Sequence, residues 1–262
     1  MTTASDGSSD SASATKRARL LTPLASVPLA VARRFPQIVR RLVAETVISD
    51  RERRGSTFRD VQAWPERITG FEDLAFLFSS TILAHGIASL RLDEAAFLYR
   101  LVGEAKPRTA VEIGRFRGGS TLLIASALEE GVLHSYDVDT RQRDSGNELD
   151  RELVAALERY GLVRKVRLHV QDSRTAEPPA ESIDLLFVDG DHSEEGVRAD
   201  FDRWSPLLAP GGHLLFHDAI EAPDLVPPCE RGPATVAARV GGDFEARPAA
   251  GSLAYFVRRA GR

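Results

Sequence analysis

Ala110-Val111-Glu112-Ile113-Gly114-Arg115-Phe116-Arg117-Gly118-Gly119-Ser120-Thr121 is the stretch that decides the fold. A short apolar run carries an acidic residue near its end, a Gly-rich turn follows, and Ser120 opens a helical pattern. Glycine lets a backbone turn sharply and lets a ligand approach where a Cβ would clash. The helix start behind such a turn offers N–H groups that have no partners of their own. The spacing of glycines and acids then discriminates between ligands. A nicotinamide dinucleotide favours G-x-G-x-x-G. Here the glycines fall as Gly114-x-x-x-Gly118-Gly119, with Glu112 just before the first. A carboxylate there suits a cationic amino-acid group better than a diphosphate, which disfavours a nicotinamide oxidoreductase.

Outward from this stretch, short apolar runs alternate with helical patterns, the signature of βαβ units and a parallel sheet. Strands are predicted at 109–113, 132–137, 166–171, 183–189 and 213–217, and helices at 120–128, 147–160, 194–208 and 233–240. Segments 243–247 and 252–258 read as a terminal hairpin. The fold class is therefore α/β: a Rossmann-like, doubly wound, mostly parallel seven-stranded sheet with a C-terminal antiparallel hairpin and an N-terminal helical extension. Upstream, residues 36–49 and 71–90 carry apolar positions at helical spacing, and Asp93 is the expected N-cap of the helix before the first strand. Three regions follow: a disordered, Ser/Ala-rich tail at 1–20, a basic helical accessory segment at 21–91, and the catalytic domain at 92–262.

The net charge of −4 hides an asymmetry. Residues 1–60 hold 11 Lys+Arg against 6 Asp+Glu, net +5, leaving 23 against 32, net −9, for the rest. The arginines at 51, 53 and 54 lack interleaved aromatics, so they read as a solvated surface or an oligomer contact rather than a nucleic-acid site. One cysteine, Cys229, excludes an intramolecular disulfide and a cysteine-based metal cluster. No apolar run is long enough to span a bilayer. Residues 16–32 imitate a signal peptide but contain Pro23 and Pro28 and run into Arg33-Arg34, so a cytoplasmic location is expected.

Further acids sit at the predicted strand ends. Asp137 ends the second strand and can accept bonds from ribose hydroxyls. Asp172 and Ser173 follow the third strand, where an adenine edge would lie. Ile183-Asp184-Leu185-Leu186-Phe187-Val188-Asp189-Gly190-Asp191-His192 delivers Asp189, Asp191 and His192 to the same C-terminal edge of the sheet, where such folds bind ligands. His213-Leu214-Leu215-Phe216-His217-Asp218 does so again. Histidine ordinarily titrates near neutrality, which makes His192 a candidate general base; it also reads as a helix cap or a carboxylate partner.

These residues, in this order, resemble class I S-adenosylmethionine-dependent methyltransferases over roughly residues 92–258. The branch is that of the macrolide-sugar O-methyltransferases and, more distantly, catechol O-methyltransferase. The resemblance implies that Glu112 and the loop of Gly114, Arg115, Gly118, Gly119 and Ser120 hold the methionine part of S-adenosylmethionine. Asp137 would hold the ribose, Asp172 with Ser173 the adenine, and Asp189 would also face the cofactor. It implies a magnesium ion at Asp189 and Asp218, completed by His217, Asp191 or water. Ala219 departs from relatives that place another oxygen ligand there. His192 falls where catechol-type relatives place their basic residue, and Asp189 stands beside it in the catalytic pair. The expected activity is methyl transfer to a hydroxyl of a small molecule of sugar or natural-product type, in a possible homo-oligomer. Two alternatives keep the cofactor fold: a partner protein in hydroxylation or methoxylation, and a non-catalytic cofactor-binding scaffold.

Overall fold

The computed structural model describes residues 57–61, 64–78, 87–138, 148–219 and 230–260. All of these lie in one compact unit. The predicted tail, the helix at 36–49, the arginines at 51, 53 and 54, and Cys229 lie outside the described residues.

Twelve regular elements position the site: α1 (Leu92–Ala105), β1 (Thr109–Ile113), α2 (Gly119–Ala127), β2 (Val132–Tyr136), α3 (Glu148–Arg159), β3 (Val166–His169), β4 (Ile183–Val188), α4 (Glu194–Trp204), β5 (Leu208–Phe216), α5 (Gly232–Ala237), β6 (Phe244–Arg247) and β7 (Ala254–Arg258). They build one seven-stranded sheet in the order β3-β2-β1-β4-β5-β7-β6. The first five strands run parallel, and β7 joins β5 and β6 antiparallel. The chain winds outward from β1 to β3 and returns to place β4 on the other flank of β1. That reversal opens a crevice at the C-terminal edge, between β1 and β4.

Burial explains why these sequences take these forms. Four of the five β1 residues are buried, as a central strand covered on both faces must be. Helix α2 is apolar nearly all round and buries Gly119 through Ala125. Helix α3 instead buries only the i, i+3, i+4 stripe Leu153, Ala156 and Leu157. Core side chains divide into two clusters across the sheet, one including Leu98, Leu122 and Leu157, the other Val111, Val197, Trp204 and Phe256.

Three expectations are corrected. Asp93 is not the N-cap of α1: Arg91 holds that position, and Glu94 three residues on accepts the Arg91 N–H at 2.7 Å. This return bond fixes the helix start two residues earlier, and Asp93 pairs with the exposed Arg91 guanidinium instead. Residues 71–78 form a 3₁₀ helix rather than an α-helix, with the turn before it held by the Asp73 carboxylate on Thr69 and Gly70. Strand β5 starts at Leu208, five residues early, because Ile183 pairs with Leu208 before the ladder shifts register and resumes at Leu185 and His213.

Gly119 shows how tightly the Gly-rich turn is covered. A Cβ on it would lie 2.4 Å from the Ala88 backbone, and Ala88 is itself anchored by its N–H to the Leu77 carbonyl. Gly103, on α1, has nothing within 4 Å of such a Cβ. Gly119→Ala is therefore expected to cost about 1–3 kcal/mol in urea unfolding. Gly103→Ala should instead add roughly 0.5–1 kcal/mol by restricting the unfolded chain. Equal effects at both positions would contradict the close approach of residues 87–88 to α2.

Candidate active site

Strand ladders carry the polar residues to one edge. The N–H groups of Gly114, Asp137, Asp189 and His217 donate to Tyr136, His169, Ile113 and Val188, the last residues of neighbouring strands, at 2.8–3.0 Å. The ladder thus runs one residue past each strand and lines up Gly114, Asp137, Asp189 and His217. Gly114 has a φ of +86°, and a Cβ on it would meet the Asp189 carbonyl oxygen at 2.2 Å. Only glycine lets the turn lie against that strand end.

Above this edge lies a cavity of about 700 Å³. It is lined by the predicted residues Gly114, Arg115, Gly119, Ser120, Asp137, Asp172, Ser173, Asp189, His192, His217 and Asp218. Gly118 and Glu112 do not line it. Gly118 is the N-cap of α2, in a left-handed conformation, and supports the turn from behind.

Glu112 is placed differently from the expected contact with a methionine group. It is fully buried, and its two oxygens accept the hydroxyls of Ser120, Thr121 and Ser135, each at 2.6 Å. Burial pushes its carboxyl up, against the pull of the three hydroxyls. The Arg115 side chain is likewise spent inside the protein. It forms a two-point pair with Asp150 at 2.7 and 2.8 Å and donates to the carbonyls of Ser135 and His169. Its contribution to the turn is its backbone N–H, which joins that of Phe116 on one Asp137 oxygen at 2.9 and 2.8 Å. Asp137 thereby holds Phe116 at a φ of +49°, a region in which an aromatic residue is strained.

At the β4–β5 end, both ring nitrogens of His217, a predicted metal ligand, face carboxylates. Its Nδ1 lies 2.9 Å from Asp189 and 3.4 Å from Asp218, and its Nε2 lies 3.2 Å from Glu94. Burial disfavours its charge, but three carboxylates outweigh burial and push it up to about 12. His192, not named as a ligand from the sequence, stands in the group of potential ligands. One donor atom each from Asp189, His192 and Asp218 lie within 4.8 Å of one another. His192 Nε2 is 3.7 Å from both carboxylates, and Asp189 above all raises its pKa. Two carboxylates and an imidazole suit a divalent cation, with the nitrogen extending the choice beyond magnesium to manganese or zinc.

Sequence reasoning missed three residues. Glu94 bolts His217, the Arg91 N–H and both the N–H and hydroxyl of Ser252 together; burial pushes it up, yet these bonds hold it at about 2. Its signal was the Arg91-x-x-Glu94 return bond. Asp200 lines the cavity from the buried face of α4, detectable as a charge in phase with Val197 and Trp204. Val138 follows Asp137 and leaves 47% of its surface open beside the cavity.

Residues 111–219 match the family model described as a methyltransferase domain. A protein of Sinorhizobium fredii, named as uncharacterized protein y4gI, is 37% identical over 127 residues, 45% of this chain and 14% of that protein. Catechol O-methyltransferase domain-containing protein 1 of mouse is 28% identical over 130 residues, 49% of this chain and 48% of its own length. The chain therefore spans less than half the length of either relative. Among solved structures, the O-methyltransferase TomG of Streptomyces achromogenes, in complex with S-adenosylmethionine, aligns with a TM-score of 0.52 and 17% identity. That alignment covers 81% of this chain and all of the other. Residues 111–219 thus match a methyltransferase-domain model, and the chain shares the fold of that O-methyltransferase.

Asp200 gives the site a pH signature. Burial pushes its carboxyl up to about 6, against about 4 in an unfolded chain. The folded protein therefore keeps this proton longer, and the stability it confers is lost as pH rises from about 4 to about 6. Asp200→Asn, which has no proton to lose, is expected to gain stability relative to the native chain across that window in denaturant titrations. A constant difference from pH 4 to 8 would show that the carboxyl is not perturbed.

Proposed function

We propose that the protein is an S-adenosylmethionine-dependent O-methyltransferase that methylates a hydroxyl of a small molecule, of sugar or natural-product type. The observation that carries this reading is the shared cavity. Asp137, Asp189, His192 and Asp218 surround it at the strand ends, over the glycine turn. No helix among the described residues is long and apolar enough to cross a membrane, and a cytoplasmic enzyme is the reading that suits a cofactor made inside cells.

The chain's own groups divide the work. Asp137, which holds the turn through Arg115 and Phe116, would also accept the ribose hydroxyls through charge-assisted bonds. Methyl transfer forms a bond from the acceptor oxygen to the methyl carbon as the carbon–sulfur bond breaks, with its electron pair left on sulfur in S-adenosylhomocysteine. The acceptor's proton passes to His192 Nε2, where the carboxylates of Asp189 and Asp218 stabilise the imidazolium. A divalent cation held by Asp189 and Asp218, with His192 left off it to act as the base, would lower the acceptor hydroxyl's pKa and fix its position. His217, paired with Asp189 and Glu94, keeps the Asp189 carboxylate oriented.

Three outcomes test the assignment. Asp137→Asn keeps a side-chain oxygen for the turn but loses the charge. It should weaken S-adenosylhomocysteine binding in calorimetry by about tenfold, the value of a lost charge-assisted bond. Unchanged affinity would remove Asp137 from the ribose site. Methyl transfer to a panel of catechol, phenol and glycoside hydroxyls should stop in excess EDTA and return with magnesium or manganese. His192→Ala should lower the turnover number by about 10²–10⁴-fold with S-adenosylhomocysteine affinity kept. Full turnover in EDTA would argue against the cation, and near-normal turnover of the variant would make His192 a structural residue.

A further inference from the structure

Asp200 is a buried charge that core packing does not explain. It is 2% exposed on α4, on the face that carries Val197 and Trp204. Burying a carboxylate is costly unless a donor meets it. The donor is the Ser173 hydroxyl, 2.6 Å from Asp200 Oδ1. One turn along the helix, Trp204 Nε1 donates to the carbonyl of the same Ser173 at 3.1 Å. Residues four apart share a helix face, so α4 grips Ser173 by both side chain and backbone.

This grip has a chemical consequence on the cavity side. A hydroxyl has one proton, and Ser173 commits its own to Asp200. Toward the cavity, which Ser173 and Asp200 both line, the serine oxygen can then only accept. The neighbouring Asp172 is turned back on its own loop: both its oxygens take the Arg174 guanidinium, and one also takes the Arg174 N–H. Ser173 follows β3, the neighbour of β2 and so of Asp137 at its end, and the exposed Val138 gives the same cavity an apolar surface that suits a ring.

We propose that Asp200 fixes Ser173 as a hydrogen-bond acceptor and so makes the base subsite select a 6-aminopurine over a 6-oxopurine. The proposal rests on the adenosyl-cofactor reading above. An exocyclic amino group donates to the serine oxygen, whereas a 6-oxo group sets two acceptors face to face. Asp200 acts through Ser173 and is a positioning residue.

The test compares S-adenosylhomocysteine with S-inosylhomocysteine by calorimetry at pH 8, using the full chain. The native protein should prefer the adenosyl compound by about tenfold or more, the scale of one hydrogen bond replaced by a repulsive pair. In Asp200→Asn the amide can donate to the serine oxygen and turn its hydroxyl outward, so the preference should fall to about threefold or less. Ser173→Ala should lose it to the same degree without altering the buried carboxylate, and the double variant should lose no more. A role in packing alone would change both affinities together and leave the ratio intact. Equal binding of both compounds by the native protein, or an unchanged ratio in both variants, overturns the proposal; should Asp200→Asn not fold, Ser173→Ala decides. Binding of neither compound would instead overturn the cofactor reading and the proposal with it.

Discussion

A carboxylate sealed from water must be met by donors, and at Glu112 that requirement binds three elements into one unit. Ser120 and Thr121 come from the first turn of α2, Ser135 from the middle of β2, and Glu112 itself from β1. Losing any one donor would leave a buried acceptor short, at a cost of about 1–3 kcal/mol. The helix start is thereby fixed relative to two central strands, and the Gly-rich turn has only one route between them. Arg115 repeats the arrangement with the opposite charge, reaching from the turn to α3 through Asp150 and to the carbonyls of β2 and β3. The turn's shape follows from these internal bonds, so its outward face is settled before a ligand arrives.

The other half of the edge is braced from outside the sheet. Glu94 on α1 reaches His217 beyond β5 and Ser252 before β7, and His217 passes the restraint to Asp189. Three acids around one imidazolium keep the net charge of this cluster near −2, counting His192 neutral. That is a field that attracts a cation without scattering the carboxylates that would receive it.

Much of this was legible from residue order. The strand ends were, because apolar runs stop where the chain meets water, and Asp137, Asp189 and His192 stand just beyond such stops. What each side chain does there was less legible. Glu112 and Arg115 look like ligand contacts in the sequence, since nothing local tells whether a side chain at a strand end points across the edge or beneath the turn. That choice depends on Ser135 and Asp150, which lie 23 and 35 residues downstream of their partners. Glu94 and Asp200 were hidden for a similar reason. Each occupies a helix position that reads as an ordinary charged surface until the partners, 123 and 27 residues away, are folded against it. The surroundings of His217 were hidden in the same way, since its second nitrogen meets that same distant glutamate.

The bond from Ser252 to Glu94 joins residues 158 apart, and this bears on the order in which the protein becomes competent. A nascent chain emerges from the ribosome at about 5–20 residues per second. Strands β1 to β5 can therefore pair, and the glycine turn can set, while the residues around 252 are still being joined. Throughout that interval Glu94 has only His217 and its own helix start to answer it, and the acidic end of the cleft lacks its outer brace. The two ends of the cleft therefore close on different lengths of chain: the glycine-turn end on residues 112 to 150, the acidic end only once residues 94 and 252 are both present.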